Sequence, residues 1–533
     1  MAYLLAHDLG TTGNKAVLYS TDGVQAGSRT VGYETSYPRA HFVEQDAEAW
    51  WNAVCSATRQ LLEASGVDPG EIAAVSFSAQ MMGCLPVDAD GNPLRPCIIW
   101  ADTRAGDQAD GLDARLGNER VYEITGHRVS SSYSAAKIAW LKEHEPEVYR
   151  RMHRSLQVKD FIIYRLTGRF VTDYSDACGT NLFDIRERCW SQEIADALDI
   201  DVSLMPEAVA SVEQVGTVTP EAAKATGLTA GTPVVAGGGD GACAATGATV
   251  TAPGSTYVII GTSSWIATVS REPVFDPTMR TFNWIANDGE LYSPCGTMQS
   301  AGFSYGWVRD LFAQVLERAA ERGSGGRDAG GGAGGGSAGG ASGAGATGAA
   351  IDLDALLGEL VDDAAPGAGG LLFLPYLMGE RSPRWNPKAR GAFVGMTAHT
   401  GTGALVRSVL EGVAYNLRTI LNAFGETASA EEIVAIGGGA ANERWLSILA
   451  SAWNRRILVP EHLEDATSLG AAMCAGVSVG ALDSLSSVSS FNAIRRTIEP
   501  DPRQVERYGR MHELFEKAYE RLEPLFSELD EVD

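Results

Sequence analysis

The chain of 533 residues has no C-x-x-C pair and no H-E-x-x-H run, which argues against a zinc ribbon or a zinc protease site. It has no Gly-Lys dipeptide, so the G-x-x-x-x-G-K-[ST] phosphate loop is absent. Basic residues are scarce: 42 Lys and Arg face 67 Asp and Glu, a formal net charge of -25. That balance argues against nucleic acid or an anionic membrane as the main partner, though not against a nucleotide, which needs only local donors. No basic segment leads a long apolar run at the N-terminus, so no signal peptide is expected. The uncharged stretch 241–270 is long enough to span a bilayer, but its Gly, Thr, Ser and Pro make it a poor membrane helix. The 8 cysteines are scattered and read as small buried hydrophobes of a cytoplasmic, reducing environment.

What is present is globular. Hydrophobic residues make up 45% and charged residues 20%, enough for large cores in two to four domains. Residues 3–8 read as a buried strand, Gly10-Thr11-Thr12-Gly13 as a tight turn, 16–20 as a returning strand, and Asp22-Gly23 as the next hairpin turn. The pattern recurs at 256–260, Gly261-Thr262-Ser263-Ser264 and 265–269. A duplicated domain accounts for two such copies; chance hairpins are the competing account. Between and after them helices and strands alternate: a helix over 46–64 capped by Asp46, a strand over 72–78, and a helix over 404–425 broken near Gly412 and closed by Gly425. A strand over 433–436, a helix over 443–453 and a charged helix over 505–527 follow. Such alternation means α/β layers. Residues 323–350 are almost all Gly, Ala and Ser, a composition expected of a flexible surface insertion.

Three motifs carry chemistry. In Thr232-Pro-Val-Val-Ala-Gly-Gly-Gly-Asp240 an apolar strand ends in glycines, and a lone carboxylate stands at its end before a small-residue helix. A poorly solvated carboxylate there suits a general base; the same residue also suits a plain helix cap. Asp8-Leu-Gly-Thr11-Thr12-Gly-Asn-Lys15 offers backbone N–H groups and two hydroxyls to a phosphate, Lys15 to neutralise an oxyanion, and Asp8 to hold Mg²⁺. Gly261-Thr262-Ser263 offers the same donors without a carboxylate. Ile436-Gly-Gly438-Gly439-Ala-Ala-Asn442 is a strand, glycines and a helix start, suited to a base or phosphate, or to a tight turn with no ligand.

Ser132-Tyr-Ser-Ala-Ala-Lys137-Ile-Ala-Trp140-Leu-Lys-Glu-His144 resembles the first signature of the FGGY family of carbohydrate kinases. Gly391-Ala-Phe-Val-Gly395-Met, leading to Ser408-Val-Leu-Glu411-Gly, resembles the second, with Ala404 where a polar or acidic residue is usual. The resemblance spans about residues 3–500. It implies an α/β fold of two actin-like ATPase (ribonuclease H-like) domains of the sugar kinase/Hsp70/actin superfamily with a cleft between them. The implied domains are 1–250 for the sugar and 251–500 for the nucleotide, with a C-terminal helix at 501–533. It implies ATP and Mg²⁺ as cofactors, with Asp240 as base, Asp8 and Asp240 near the metal, and Thr11, Thr12, Lys15, Gly261, Thr262 and Ser263 at the phosphates. Gly302, Gly438, Gly439 and Asn442 would line the nucleotide.

Pro375-Tyr-Leu-Met-Gly379-Glu380-Arg381-Ser-Pro383 is similar to the xylulokinase branch, which implies D-xylulose as substrate. Ribulose, another pentulose or polyol, and a gluconate-like sugar are alternatives, as is a sugar- or nucleotide-binding protein of the same fold without catalysis. Gln80, Met81 and Met82 align with the sugar-reading loop, where Met82 replaces a usual His. Trp100 and Asp102 offer stacking and polar groups to the sugar; Asp102 with Arg104 also suits a loop brace. The expected partners are a small sugar and ATP, in a chain whose exposed apolar helices are compatible with a homodimer.

Overall fold

The computed structural model describes residues 2–325 and 352–532. The insertion expected at 323–350 therefore falls largely outside the described residues. In the first half, β1 (Tyr3–Leu9), β2 (Gly13–Ser20) and β3 (Gln25–Gly32) form a meander. Helix α1 (Ala47–Ser65) starts on the Asp46 side chain and stops at Gly66 in the left-handed region. It buries Trp50, Val54 and Leu61, three residues on the apolar side expected from the 3.6 period, with Leu62 half-buried beside them. Strand β4 (Ile72–Ala79) lies parallel to β1. Helix α2 (Ser134–His144) follows, then β5 (Gln214–Thr217), β6 (Pro233–Val235), the two-residue β7 (Gly238–Gly239) and α3 (Asp240–Gly247).

The second half repeats the plan. It contains β8 (Thr256–Ile260), β9 (Ser264–Thr268), β10 (Phe282–Ile285) and β11 (Tyr292–Met298). Then come α4 (Gly302–Gly325), α5 (Thr402–Ala423), β12 (Glu432–Ile436), α6 (Glu443–Trp453), β13 (Arg456–Pro460), α7 (Ala466–Ser478), β14 (Ile494–Ile498) and α8 (Pro502–Asp530).

Each half carries a seven-stranded sheet. Along β3-β2-β1-β4-β6-β5 the pairings run antiparallel, antiparallel, parallel, parallel, antiparallel. Along β11-β9-β8-β12-β13-β14 they run in the same sequence. Two chance hairpins would not share five consecutive pairings, so the duplication read from the turns extends to the whole sheet.

Three expectations need correction. Helix α5 is continuous through Gly412, because the missing side chain admits the Phe373 carbonyl, which a Cβ would overlap. Gly412 is a close-packing position and not a break. Helix α8 sinks Tyr508, Phe515, Tyr519 and Phe526 into the core of the second half, so Pro502–Asp530 packs as part of that half. Cys189 is exposed and Cys55 half-buried, against six buried cysteines. Among the described residues no helix is long and apolar enough to cross a membrane.

The halves interlock through α7. Its Leu469 and Ala471–Ala475 pack on Leu4, Ala6 and Val17 of the first sheet. Gly470 lies against the Cys243 carbonyl of α3, and Gly247 against the Ala466 carbonyl; a Cβ at either would overlap that backbone. This packing brings the ends of β1, α3 and α7 to one place.

Candidate active site

Asp8 and Asp240 arrive by different routes. Asp8 ends β1, opposite Lys15 on β2 and Ser78 on β4. Gly238 pairs with the same Ser78 from the other side, and Asp240 begins α3 two residues on. The carboxylates therefore flank the carboxyl end of β4. The stretch before Asp240 is held from below: Ser175 Oγ accepts from the Gly239 N–H at 2.9 Å and donates to Asp173 Oδ2 at 2.5 Å. Asp173 is ion-paired at 2.9 Å with the buried Lys159. Asp240 is not a side-chain cap, since Gly239 takes the cap position; its Oδ1 accepts only the Gly241 N–H, at 2.8 Å. Burial, and then the charge of Asp8, push its pKa up from 3.8 to about 7. Burial also raises Asp8, opposed by the Thr467 hydroxyl, which donates to Asp8 Oδ2 at 2.7 Å.

Asp240 lines a cavity of about 250 Å³ together with Thr11 of the first bend and Ser263 of the second. Gln80, Met81 and Met82 line it too, and so does Trp100. Gln80 spends its amide N–H groups on the Gly10 carbonyl (3.2 Å) and Gln45 Oε1 (2.8 Å), leaving its own Oε1 without a partner. Trp100 Nε1 donates to Thr11 Oγ1 at 3.0 Å, so the loop and the first bend are tied together. Met82 has φ 64°, a conformation costly for a side chain with a Cβ, and its carbonyl accepts from Lys137 at 2.8 Å. Lys137, fully buried on α2, also donates to the carbonyls of Ile99 (2.8 Å) and Ser132 (2.6 Å). One ammonium thus ties three segments of the cavity wall, those of Met82, Trp100 and Ser132.

Asp102 is not among the lining residues. Its Oδ2 accepts from the Val43 N–H at 2.6 Å and from Arg104 Nη2 at 2.7 Å, and its Oδ1 from the Arg104 backbone N–H at 3.0 Å, with no exposed surface. It braces a loop, because both oxygens are spent on fixed donors, and the sugar-binding expectation for it is withdrawn.

A second, more open cavity of about 840 Å³ is lined by Gly261, Thr262, Gly302, Gly438, Gly439 and Asn442, six expected nucleotide positions gathered from three segments. Gly302 sits against the Gly261 carbonyl and Gly439 against Ile260, with no space for a Cβ. The Asn442 side chain caps α6 by accepting from the Trp445 N–H at 3.1 Å. Phe303, Trp307 and Trp445 add aromatic faces that the motifs did not indicate. The bend Gly261–Ser263 separates the cavities, with Thr262 on one side and Ser263 on the other. Thr12 is exposed at its bend and lines neither cavity. Lys15 is ion-paired with Asp465, 450 residues away. Tyr133, Arg381 and Trp385, also unread as site residues, line the smaller cavity; the first two lie inside quoted motifs, which was the available signal.

Comparison with known proteins agrees with this architecture. The N-terminal domain of the FGGY family of carbohydrate kinases matches residues 3–247, and the C-terminal domain matches 256–479. Xylulose kinase of Bacillus subtilis (strain 168) is 31% identical over 521 residues, 97% of each chain. Gluconokinase of the same organism is 30% identical over 492 residues, 92% of this chain and 90% of the relative. The crystal structure of ligand-bound xylulose kinase from Lactobacillus acidophilus superposes with a TM-score of 0.88 at 26% identity, covering 99% of this chain and 100% of that one.

Proposed function

The chain belongs to the FGGY family of carbohydrate kinases, and from that premise we propose that it phosphorylates a ketopentose, D-xylulose first, using ATP and with Asp240 as general base. The observation that carries this reading is the shared bend. A sugar-sized cavity containing a lone carboxylate and a nucleotide-sized cavity meet at one run of backbone N–H groups and hydroxyls. Phosphoryl transfer needs positioning and charge neutralisation more than covalent help.

Residues 1–250 contribute the base and the sugar-reading loop, and 251–500 the nucleotide cavity, although Ser263, Arg381 and Trp385 extend the sugar cavity into the second half. Thr11, Thr262 and Ser263 would donate to phosphate oxygens. Asp240, held near neutrality, would accept the proton of the attacking hydroxyl. Lys15 would lend its charge beside Asp465.

Asp8 and Asp240 are the residues that would hold Mg²⁺. The described residues contain no group of three metal-binding side chains, and two carboxylates completed by phosphate oxygens and water suit Mg²⁺. When bound, the ion neutralises phosphate charge. An ADP-release assay across ketoses, polyols and aldonates tests the reading: release is expected with D-xylulose and lost in Asp240→Ala, while nucleotide still binds. Near-normal turnover in that variant would remove the base assignment.

A further inference from the structure

Part of the wall of the smaller cavity comes from the second half and holds polar atoms with no partner. Among the described residues the Arg381 guanidinium makes no hydrogen bond or ion pair, and its Nε is enclosed. The adjacent carboxylate, Glu380, is taken up by other donors: the Gln299 and Arg381 backbone N–H groups at 2.8 and 3.0 Å, and Asn416 Nδ2 at 3.1 Å. Trp385 Nε1 is enclosed and unpartnered, while its ring lies under Arg128 at 5.1 Å. Thr297 Oγ1 is enclosed and unpartnered as well. All three residues line the cavity that contains Asp240.

Enclosed donors left unmet are unfavourable. Arginine and tryptophan can only donate, so two of these three groups require an acceptor. A guanidinium bonds most strongly to an oxygen that carries negative or partial negative charge. The first half presents the converse, the unpartnered acceptor Gln80 Oε1, which requires a hydroxyl.

We propose that Arg381, Trp385 and Thr297 form a subsite for the oxidised carbon of the substrate, receiving a carbonyl or carboxylate oxygen and not a further hydroxymethyl group. The inference rests on the kinase reading only in taking this cavity as the sugar site. It makes Arg381 the residue that separates a ketose or an aldonate from the polyol with the same carbon skeleton.

The test is direct binding without nucleotide, followed by tryptophan fluorescence, for D-xylulose, D-xylonate and xylitol. Xylulose or xylonate is expected to bind at least tenfold tighter than xylitol. Arg381→Met should remove that preference, and Arg381→Lys should retain part of it. Thr297→Val, a milder change, should reduce it. Tightest binding of xylonate identifies a carboxylate as the ligand of the subsite; tightest binding of xylulose identifies a carbonyl. Equal binding of xylitol, or a preference that survives in Arg381→Met, overturns the subsite alone. Binding of none of the three overturns it together with the sugar assignment of the cavity.

Discussion

Replacing Asp240 with Asn keeps the shape of the side chain and its acceptor for the Gly241 N–H, and removes only ionisation. In the folded protein this carboxyl titrates near 7, against 3.8 when free in water. Folding therefore raises its pKa. The unfolded chain gives up this proton from about pH 4, the folded chain only near pH 7, so the wild type loses stability as pH rises through that window. The rise corresponds to about 4 kcal/mol at 1.36 kcal/mol per tenfold change. Water in the cavity screens the open side of the carboxylate, which leaves about 2–4 kcal/mol. At roughly 2 °C per kcal/mol for a body of this size, Asp240→Asn should melt about 4–8 °C above the wild type at pH 8. The gap should narrow toward pH 4.5 and close only below about pH 4, where the carboxyl is protonated in the unfolded chain as well. Loss of a general base should lower kcat by about 10²–10⁴-fold. Wild-type kcat/KM should climb with pH and level off above about 7. The assays are differential scanning fluorimetry of both proteins across pH 4.5–8 and coupled ADP release. Turnover within tenfold of wild type refutes the base; a melting gap independent of pH refutes the desolvation argument.

Lys137→Met should raise the sugar KM about tenfold or more with the ATP KM unchanged, since three cavity-wall carbonyls lose one shared donor. Burial lowers the Lys137 pKa to about 8, so sugar affinity should weaken as pH rises above that value, where the neutral amine has one donor fewer; isothermal titration reads this. Gly302→Ala would force α4 from the Gly261 bend and should raise the ATP KM with little change in sugar binding, which initial-rate kinetics separate. Gly412→Ala would press on the Phe373 carbonyl inside the second core and should cost about 1–3 kcal/mol, read as a lower melting temperature with kcat retained.

Local rules were enough for the strands and bends. Short apolar runs bounded by turn residues encode β1, β2, β8 and β9, and the Gly-Thr turns between them need no distant contact to form. The same holds for α1, capped by Asp46 and patterned at 3.6 residues, and for α6, whose bounds match the expected 443–453. Asp240 was legible because a charge directly after a glycine-ended strand is placed by the chain itself. The glycine at 412 misled because a helix-weakening residue and a close-packing residue are the same residue; only the Phe373 carbonyl distinguishes them. Asp102 offered two readings that differ only in whether Val43 and Arg104 reach its oxygens first.

The sequence by itself determined the duplicated strand-turn-strand units, the two phosphate-suited bends and the lone acid, because each depends on neighbours a few residues apart. Tertiary structure alone decided that Thr467 and Asp465 meet Asp8 and Lys15, that Lys137 ties three wall segments, and that Arg381 and Trp385 close a cavity begun by Thr11 and Gln80. Those contacts join segments tens to hundreds of residues apart. Those to Asp8 and Lys15 are fixed by burying α7 between the halves, which no local pattern encodes.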